Sequence, residues 1–201
     1  MTTASSGDPM INDTSTASAF LHSRRSTPAK ALSLPVPQRG AIEDLLRAAA
    51  RSPDHGKLEP WRFIVLERAA LLRLAEAVPP HGEALGLDAD KIQKMRDQFG
   101  NAHLVIAVIG CPAPHPKIPE IEQILSAGAV CLALLNAGLA SGWGANWLSG
   151  WASHDKTFVR EHMDVAGSEF VAGLIHFGTP SSAPPERPRP DIDAKTTWAT
   201  G

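Results

Sequence analysis

The amino-acid sequence predicts a single α+β domain in which buried strands and helices follow one another irregularly. Two near-continuous apolar runs, AHLVIAVIG at 102–110 and FVAGLIHFG at 170–178, are typical of strands covered on both faces. The apolar positions of residues 38–51 recur at helical spacing, and residues 118–140 form a longer apolar stretch that predicts a buried helix. Because the elements do not follow a regular strand–helix alternation, we expect an α+β layout of about four strands and six helices.

The remaining elements follow from shorter patterns. Residues 29–37 predict an extended link that prolines interrupt, and Pro79-Pro80 is expected to end a helix and open the least constrained part of the domain. In the first helix, Phe20 and Leu21 are expected to face inward. The other helices are predicted at 17–25, 68–78, 88–99 and 154–162, and the other strands at 61–67 and 143–148.

Composition indicates where the domain begins and ends. Residues 1–15 are rich in Ser, Thr and Asp and predict a flexible extension, whereas residues 16–182 predict the folded domain. Residues 183–201 are a proline-rich tail that cannot build a core of its own. We expect this tail to be disordered or to lie across another surface.

Charge and cysteine content exclude several classes of protein. A formal net charge of −2 argues against a nucleic-acid-binding protein that relies on a basic surface. The two cysteines lack CxxC spacing and the histidines lack ligand spacing, so we expect no disulfide, no metal and a cytoplasmic location. The N-terminus lacks the apolar stretch of a secretory signal. Residues 123–154 carry no charged side chain, but their strongly apolar part is too short to span a membrane.

Two polar segments contain residue types that bind ligands. The run Ser23-Arg24-Arg25-Ser26 at the end of the first helix offers two guanidinium groups and hydroxyls, which suit a phosphate. The run RSPDHGKLEPWRF at 51–63 is an irregular loop that leads into a strand, the kind of position where binding groups are common. Each has a plainer interpretation: the first as a solvated basic helix end, the second as an ordinary connection.

Taken together, these segments resemble the FMN-dependent nitroreductase family, most closely its small YdjA-like branch. The resemblance continues in PKIPEIEQILSAGAV, in GLASGWGANWLSG and in the late strand that ends in Phe-Gly-Thr-Pro, and covers roughly residues 16 to 182. It implies an α/β sandwich with a mixed, mainly antiparallel central sheet. It also implies an intertwined homodimer whose two FMN sites are each built from both subunits.

The resemblance assigns roles to particular residues. Arg24, Arg25 and Ser26 would hold the phosphate and ribityl side of FMN, and Arg51 and His55 would reach the flavin bound mainly by the other subunit. The segment Trp147, Leu148 and Ser149 would line the flavin of its own chain. A weaker match associates one further stretch with the nicotinamide nucleotide: Ala137, Gly138, Leu139, Ala140, Ser141 and Gly142.

Two positions depart from the family pattern. Pro28 stands where larger members carry a lysine near the flavin, and Leu148 stands where close relatives tend to carry arginine. Leucine cannot donate a hydrogen bond to flavin or phosphate. Arg25 or the partner's Arg51 is a possible source of the missing positive charge.

The resemblance therefore predicts an NAD(P)H oxidoreductase in which FMN carries the chemistry and no side chain acts as nucleophile or acid–base catalyst. Nitroaromatic, quinone or similar flat acceptors would be reduced in a ping-pong reaction, because one pocket would serve donor and acceptor in turn. Two alternatives stay open at this point: a non-catalytic flavin-binding or flavin-sequestering protein, and a hydrolase with Ser and His. The sequence lacks the GxSxG motif that the hydrolase would need.

Overall fold

The structure, a computed structural model, describes residues 12–165 and 167–201. Its centre is a five-stranded sheet. β2 (Trp61–Glu67), β3 (Leu104–Gly110) and β5 (Phe170–Pro180) lie side by side, and β4 (Gly144–Leu148) pairs with the opposite edge of β5. The short β1 (Leu32–Ser33) pairs with the end of β5. All four pairings are antiparallel, which agrees with the predicted α+β class and its mainly antiparallel sheet.

Helices cover both faces of the sheet and form two apolar cores with it. One core includes α1, α2 and α5, and the other includes α3, α4, α6 and α7. Their bounds are α1 Ala17–Ser23, α2 Arg39–Ala49, α3 Arg68–Ala84, α4 Ala89–Gly100, α5 Glu120–Ala140, α6 Trp151–His154 and α7 Lys156–Met163.

The central strand β3 contributes to both cores. Leu104 and Ile106 pack in the core of α2 and α5, while Val105 and Ala107 pack in the core of α3 and α4. Successive side chains of a strand point to opposite faces, so a strand between two helical layers buries every residue. This is why residues 104–110 show a continuous apolar run rather than an alternation.

Burial of α5 accounts for the lack of charged side chains in the first half of residues 123–154. The helix is long and apolar enough to span a membrane, but half of its most apolar window is buried, and it packs on β3, β4 and β5. Gly138 permits close packing, since a Cβ atom there would collide with the ring of Phe177. α5 is thus the central helix of the domain core.

Three expectations about secondary structure were wrong. α3 continues through Pro79 and Pro80 to Ala84, although each proline removes a backbone donor from the helix. Tertiary contacts hold this last part: His81 pairs with Asp155, and the helix packs tightly on α4. Propensity is a local preference that such contacts override.

The other two differences lie near the N-terminus. Residues 29–37 are not only a link, because Leu32 and Ser33 form β1, a pairing with residues distant in sequence that local patterns do not reveal. Of the two residues of α1 expected to face inward, Phe20 is buried but Leu21 is 63% exposed. Neighbouring residues of a helix lie about 100° apart, so one contact face does not cover both.

Candidate functional site

A cavity of about 610 Å³ opens where three parts of the chain meet. Its lining comes from residues 24–26 and 28–30 after α1, from Asn146 and Trp147 of β4, and from Pro184, Pro185, Arg187 and Arg189 of the C-terminal tail. The volume lies within the range of about 300–1,000 Å³ that is usual for small-molecule sites. Four of the predicted cofactor residues, Arg24, Arg25, Ser26 and Trp147, therefore lie together in one cavity.

Two hydrogen bonds between Thr27 and β4 fix the position of the Arg24–Ser26 segment. The Thr27 amide donates to the Ala145 carbonyl at 2.9 Å, and the Asn146 side chain donates to the Thr27 carbonyl at 2.8 Å. These bonds hold the chain against the edge of the sheet immediately after the two arginines. A side-chain bond of 3.2 Å from Arg24 Nη2 to Ser26 Oγ then orients the first guanidinium.

Asn12 supports the same segment from the other side. The residue is buried, its Oδ1 atom accepts a bond of 3.1 Å from the Arg25 amide, and its Nδ2 atom lies 3.4 Å from the Leu139 carbonyl. Sequence reasoning missed this role, because Asn12 falls in the predicted extension of residues 1–15. Residues 1–11 of that extension lie outside the described residues.

The cavity is strongly cationic. Besides Arg24 and Arg25, its lining includes Lys30, Arg187 and Arg189, and no acidic residue lines it among the described residues. Burial lowers the pKa of Arg24, and the nearby charges of Arg189 and Arg25 lower it further. The Nε atom of Arg24 is buried and has no hydrogen-bond partner in the described part of the chain. A half-buried guanidinium with an unused buried donor and like-charged neighbours favours the binding of an anion.

The C-terminal tail completes this site, which the sequence did not predict. The tail was expected to be disordered or to lie across another surface, and the structure agrees with the second alternative, because Pro184, Pro185, Arg187 and Arg189 line the cavity. The basic residues of the segment PERPRP were the available signal. Lys30, two positions after Pro28, also lines the cavity and carries the positive charge that proline lacks.

The flavin-lining segment predicted at 147–149 divides between two cavities. Trp147 lines the large one, and its indole lies over Gly173, where a Cβ atom would collide with the ring. Ser149 lines a separate cavity of about 270 Å³ beside α4 and Trp151, and Leu148 lines neither cavity. The flavin contacts assigned to Leu148 and Ser149 stay predictions.

The residues predicted to reach a partner's flavin lie away from the cavity of their own chain. Arg51 is exposed just after α2. His55 is also exposed, and its Nδ1 atom lies 2.6 Å from Glu122 Oε2 of α5. Neither residue lines the large cavity, so their predicted role depends on a second subunit and stays a prediction.

The predicted nucleotide stretch spans the end of α5 and the turn that follows. Gly138 and Leu139 are buried in the core, while Ala140, Ser141 and Gly142 are exposed. None of the six residues from 137 to 142 lines the large cavity. A nucleotide could touch the exposed turn but not the two core residues, and the assignment stays a prediction.

Comparison with known proteins identifies the family. Residues 21–179 match the family model described as the Nitroreductase family. The chain belongs to the nitroreductase family. The protein YdjA of Escherichia coli (strain K12), whose name places it among NAD(P)H nitroreductases, is 34% identical over 161 residues, which cover 80% of this chain and 86% of that protein.

Solved structures of nitroreductase-like proteins share the fold. A nitroreductase-like family protein from Bacillus cereus matches with a TM-score of 0.77 and 22% identity, covering 100% of both chains. A nitroreductase-family protein from Desulfovibrio desulfuricans, solved in complex with FMN, matches with a TM-score of 0.68 and 17% identity, covering 98% of this chain and 100% of that one.

The cavity of this nitroreductase family member fits the FMN that the family resemblance implies. A terminal phosphate carries about two negative charges near neutral pH and accepts several hydrogen bonds. The unused Arg24 Nε donor and the arginines from two parts of the chain provide the complementary charge. The partly exposed indole of Trp147, in the wall of the cavity, offers apolar surface on which a flat ring system can pack.

Two other clusters of reactive side chains lie outside the cavity. Ligand atoms of His81, Glu161 and His162 lie within 4.8 Å of one another, a grouping that the spacing of histidines in the sequence did not indicate. Cys111 Sγ lies 3.3 Å from Glu169. Burial, which is the larger cause, and this carboxylate together raise the pKa of the thiol to about 11. A thiol with so high a pKa is a poor nucleophile.

Proposed function

We propose that this nitroreductase family member is an FMN-dependent NAD(P)H oxidoreductase that reduces nitroaromatic compounds, quinones or similar flat acceptors. The observation that carries the proposal is the cationic cavity around Arg24, whose buried Nε donor is unused, in a chain of this family. The name of YdjA and the FMN complex of the Desulfovibrio protein support the assignment of donor and cofactor.

Different side chains of the cavity bind different parts of FMN. Arg24, Arg25, Arg187 and Arg189 hold the phosphate, because guanidinium groups match its oxygens in pairs. Ser26 adds a neutral donor on the ribityl side. FMN, when bound, supplies the hydride transfer itself, so the chain needs no nucleophile. Donor and acceptor use the cavity in turn, which gives ping-pong kinetics.

A homodimer completes the proposed site. The outer face of α5 exposes Ile121, Leu125 and Leu132 at helical spacing, an apolar stripe that suits a contact with another chain. A second copy of the chain covers this face and brings its Arg51 and His55 to the flavin. Sedimentation analysis tests the association, and a monomer at micromolar concentration contradicts it. Because Cys111 and Cys131 are both free thiols, we also propose a cytoplasmic location.

Cofactor analysis and turnover test the proposed function. The purified protein is expected to carry or take up FMN, which chromatography of the released cofactor distinguishes from FAD. With FMN bound, the protein should oxidise NADH or NADPH steadily when a nitroaromatic or a quinone is present. A preparation that takes up no flavin, or only FAD, would contradict the proposal.

A second candidate function rests on Leu148. This residue offers no donor to a flavin, so a protein that binds or sequesters FMN without turning over is the alternative. The two functions differ in one measurement. Tight FMN binding without NAD(P)H oxidation in the presence of several acceptors favours the sequestering protein.

A further inference from the structure

Glu186 forms ion pairs with two arginines of the cavity through a single carboxylate oxygen, and its contact with Arg25 Nη1 is close but not aligned as a hydrogen bond. Its Oε1 atom lies 2.9 Å from Arg25 Nη1 and 3.1 Å from Arg189 Nη2. The Arg25 side chain is only 12% exposed, whereas that of Glu186 is 68% exposed. A solvent-facing carboxylate of the tail therefore reaches in to a half-enclosed guanidinium that lines the cavity.

The Glu186 carboxylate is charged in this position. The backbone amide of Arg187 lowers its pKa most, and the charges of Arg189 and Arg25 lower it further. Among the described residues, Glu186 is the carboxylate that pairs with Arg25 and Arg189, and Arg24 and Arg187 form no ion pair there. The carboxylate thus neutralises part of the charge that a ligand phosphate would meet.

We propose that Glu186 is an internal competitor of the ligand phosphate, which must displace this carboxylate from Arg25 and Arg189 in order to bind. The inference rests on the proposed function and concerns the same site. A phosphate dianion on these guanidinium groups would stand beside the carboxylate, and like charges at such a distance repel each other. The carboxylate therefore turns out to solvent when the phosphate enters.

Competition of this kind lowers the apparent affinity for any ligand with a phosphate. The binding-competent form is the fraction of molecules in which Glu186 has left the arginines, and the measured Kd rises as that fraction falls. A ligand that does not use the arginines pays no such penalty. Glu186 thereby makes FMN easier to release without altering the phosphate ligands themselves.

Titration of four proteins with two flavins tests the competition. The proteins are the wild type, Glu186→Gln, Glu186→Asp and, as a matched control, Glu76→Gln at an exposed site on α3. The flavins are FMN and riboflavin, which lacks the phosphate, and binding is read from the quenching of flavin fluorescence. Glu186→Gln is expected to lower the Kd for FMN about three- to fivefold, the scale of a largely exposed ion pair. Glu76→Gln should change neither flavin.

The Glu186→Asp variant distinguishes displacement of the carboxylate from the two arginines from a general effect of negative charge on phosphate binding. Aspartate keeps the negative charge but is one methylene shorter, so its carboxylate is expected to reach at most one of the two arginines. Displacement predicts tighter FMN binding in both variants and an unchanged Kd for riboflavin. Tighter FMN binding in Glu186→Gln alone would show a through-space effect of charge and would overturn the proposal. An unchanged Kd for FMN in both variants would also overturn it. So would an equal decrease in the Kd for riboflavin.

Failure of the proposed function gives a different result. In that case the wild type and all variants bind neither flavin. The competition is then measured with inorganic phosphate by calorimetry, where both Glu186 variants should still bind more tightly than the wild type and Glu76→Gln. Equal phosphate affinities in all four proteins would overturn the competition itself.

Discussion

At the scale of single residues, Arg24 is central to the cavity. It has a buried Nε donor without a partner, a bond to Ser26 and a pKa that burial and two neighbouring arginines lower. A folded chain tolerates such an arrangement more easily when an anion supplies the missing partner.

Arg24→Ala is expected to weaken FMN binding by about 10- to 100-fold. The loss of a hydrogen bond to a charged group costs about 1.5–3 kcal/mol, which corresponds to that range. Fluorescence titration measures the change, with Arg39→Ala on the exposed face of α2 as the control. An unchanged FMN affinity in Arg24→Ala would remove this residue from the phosphate site.

His176 should make folding stability depend on pH. Burial lowers its pKa to about 4 from 6.5, and its Nε2 atom has no partner among the described residues. Between these values the unfolded chain binds a proton that the folded chain does not, so stability falls as the pH is lowered from about 6.5 towards 4 and is unaffected by this group below that. The contribution is on the order of 3 kcal/mol.

Urea unfolding across this pH range tests the prediction for His176. His176→Phe removes the titrating group and should flatten the decline in the free energy of unfolding, whereas the exposed His22→Gln should leave the decline as in the wild type. The same pH dependence in His176→Phe and in the wild type would assign the decline to other groups.

At the scale of elements, glycines set how closely β5 approaches its neighbours. Gly138 lets α5 pack on Phe177, and Gly173 leaves room for the indole of Trp147 at the cavity. The first contact holds the core helix on the sheet, and the second sets the position of a cavity wall. Sequence patterns predicted both elements but not these contacts, because an isolated glycine does not reveal what lies over it.

Gly138→Ala is expected to destabilise the fold. The new methyl group would collide with the buried ring of Phe177, and overpacking of this kind costs about 1–3 kcal/mol, against about 1 kcal/mol gained in helix propensity. Gly40→Ala in α2 meets no atom within 4 Å and serves as the control, with no loss of stability expected. The test is thermal unfolding, and an unchanged or higher Tm for Gly138→Ala would mean that the core relaxes around the methyl group.

At the scale of the whole molecule, the proposed dimer places Arg24 of one subunit and His55 of the other at the same flavin. Within one chain these residues lie apart, since Arg24 lines the cavity and His55 pairs with Glu122 on α5. The arrangement makes a prediction about mixed dimers that does not depend on a structure of the assembly.

Dimers that combine Arg24→Ala and His55→Ala subunits should recover activity. If each variant is impaired as a homodimer, a mixed dimer has both lesions in one site and an intact second site. With random pairing, half of the dimers are mixed and each has one good site of two, so activity should return to about a quarter of wild type. Co-expression with two affinity tags allows isolation of mixed dimers. The absence of recovery in them would refute the shared site.

The sequence predicted those features that depend on residues close to one another in the chain. The strands β2, β3, β4 and β5, the long core helix and the family all follow from apolar patterns and from motifs of neighbouring residues. Arg24, Arg25 and Ser26 could be recognised for the same reason, since they stand together in the chain.

The tertiary structure alone decided the rest of the site. It brought Arg187, Arg189 and Glu186 from the tail to Arg25, joined Asn146 to Thr27, and carried α3 through its two prolines. Such contacts link residues far apart in sequence, and Asn146 and Thr27 are 119 positions apart. They depend on the path of the whole chain and on packing that outweighs local preference, neither of which a short stretch of sequence contains.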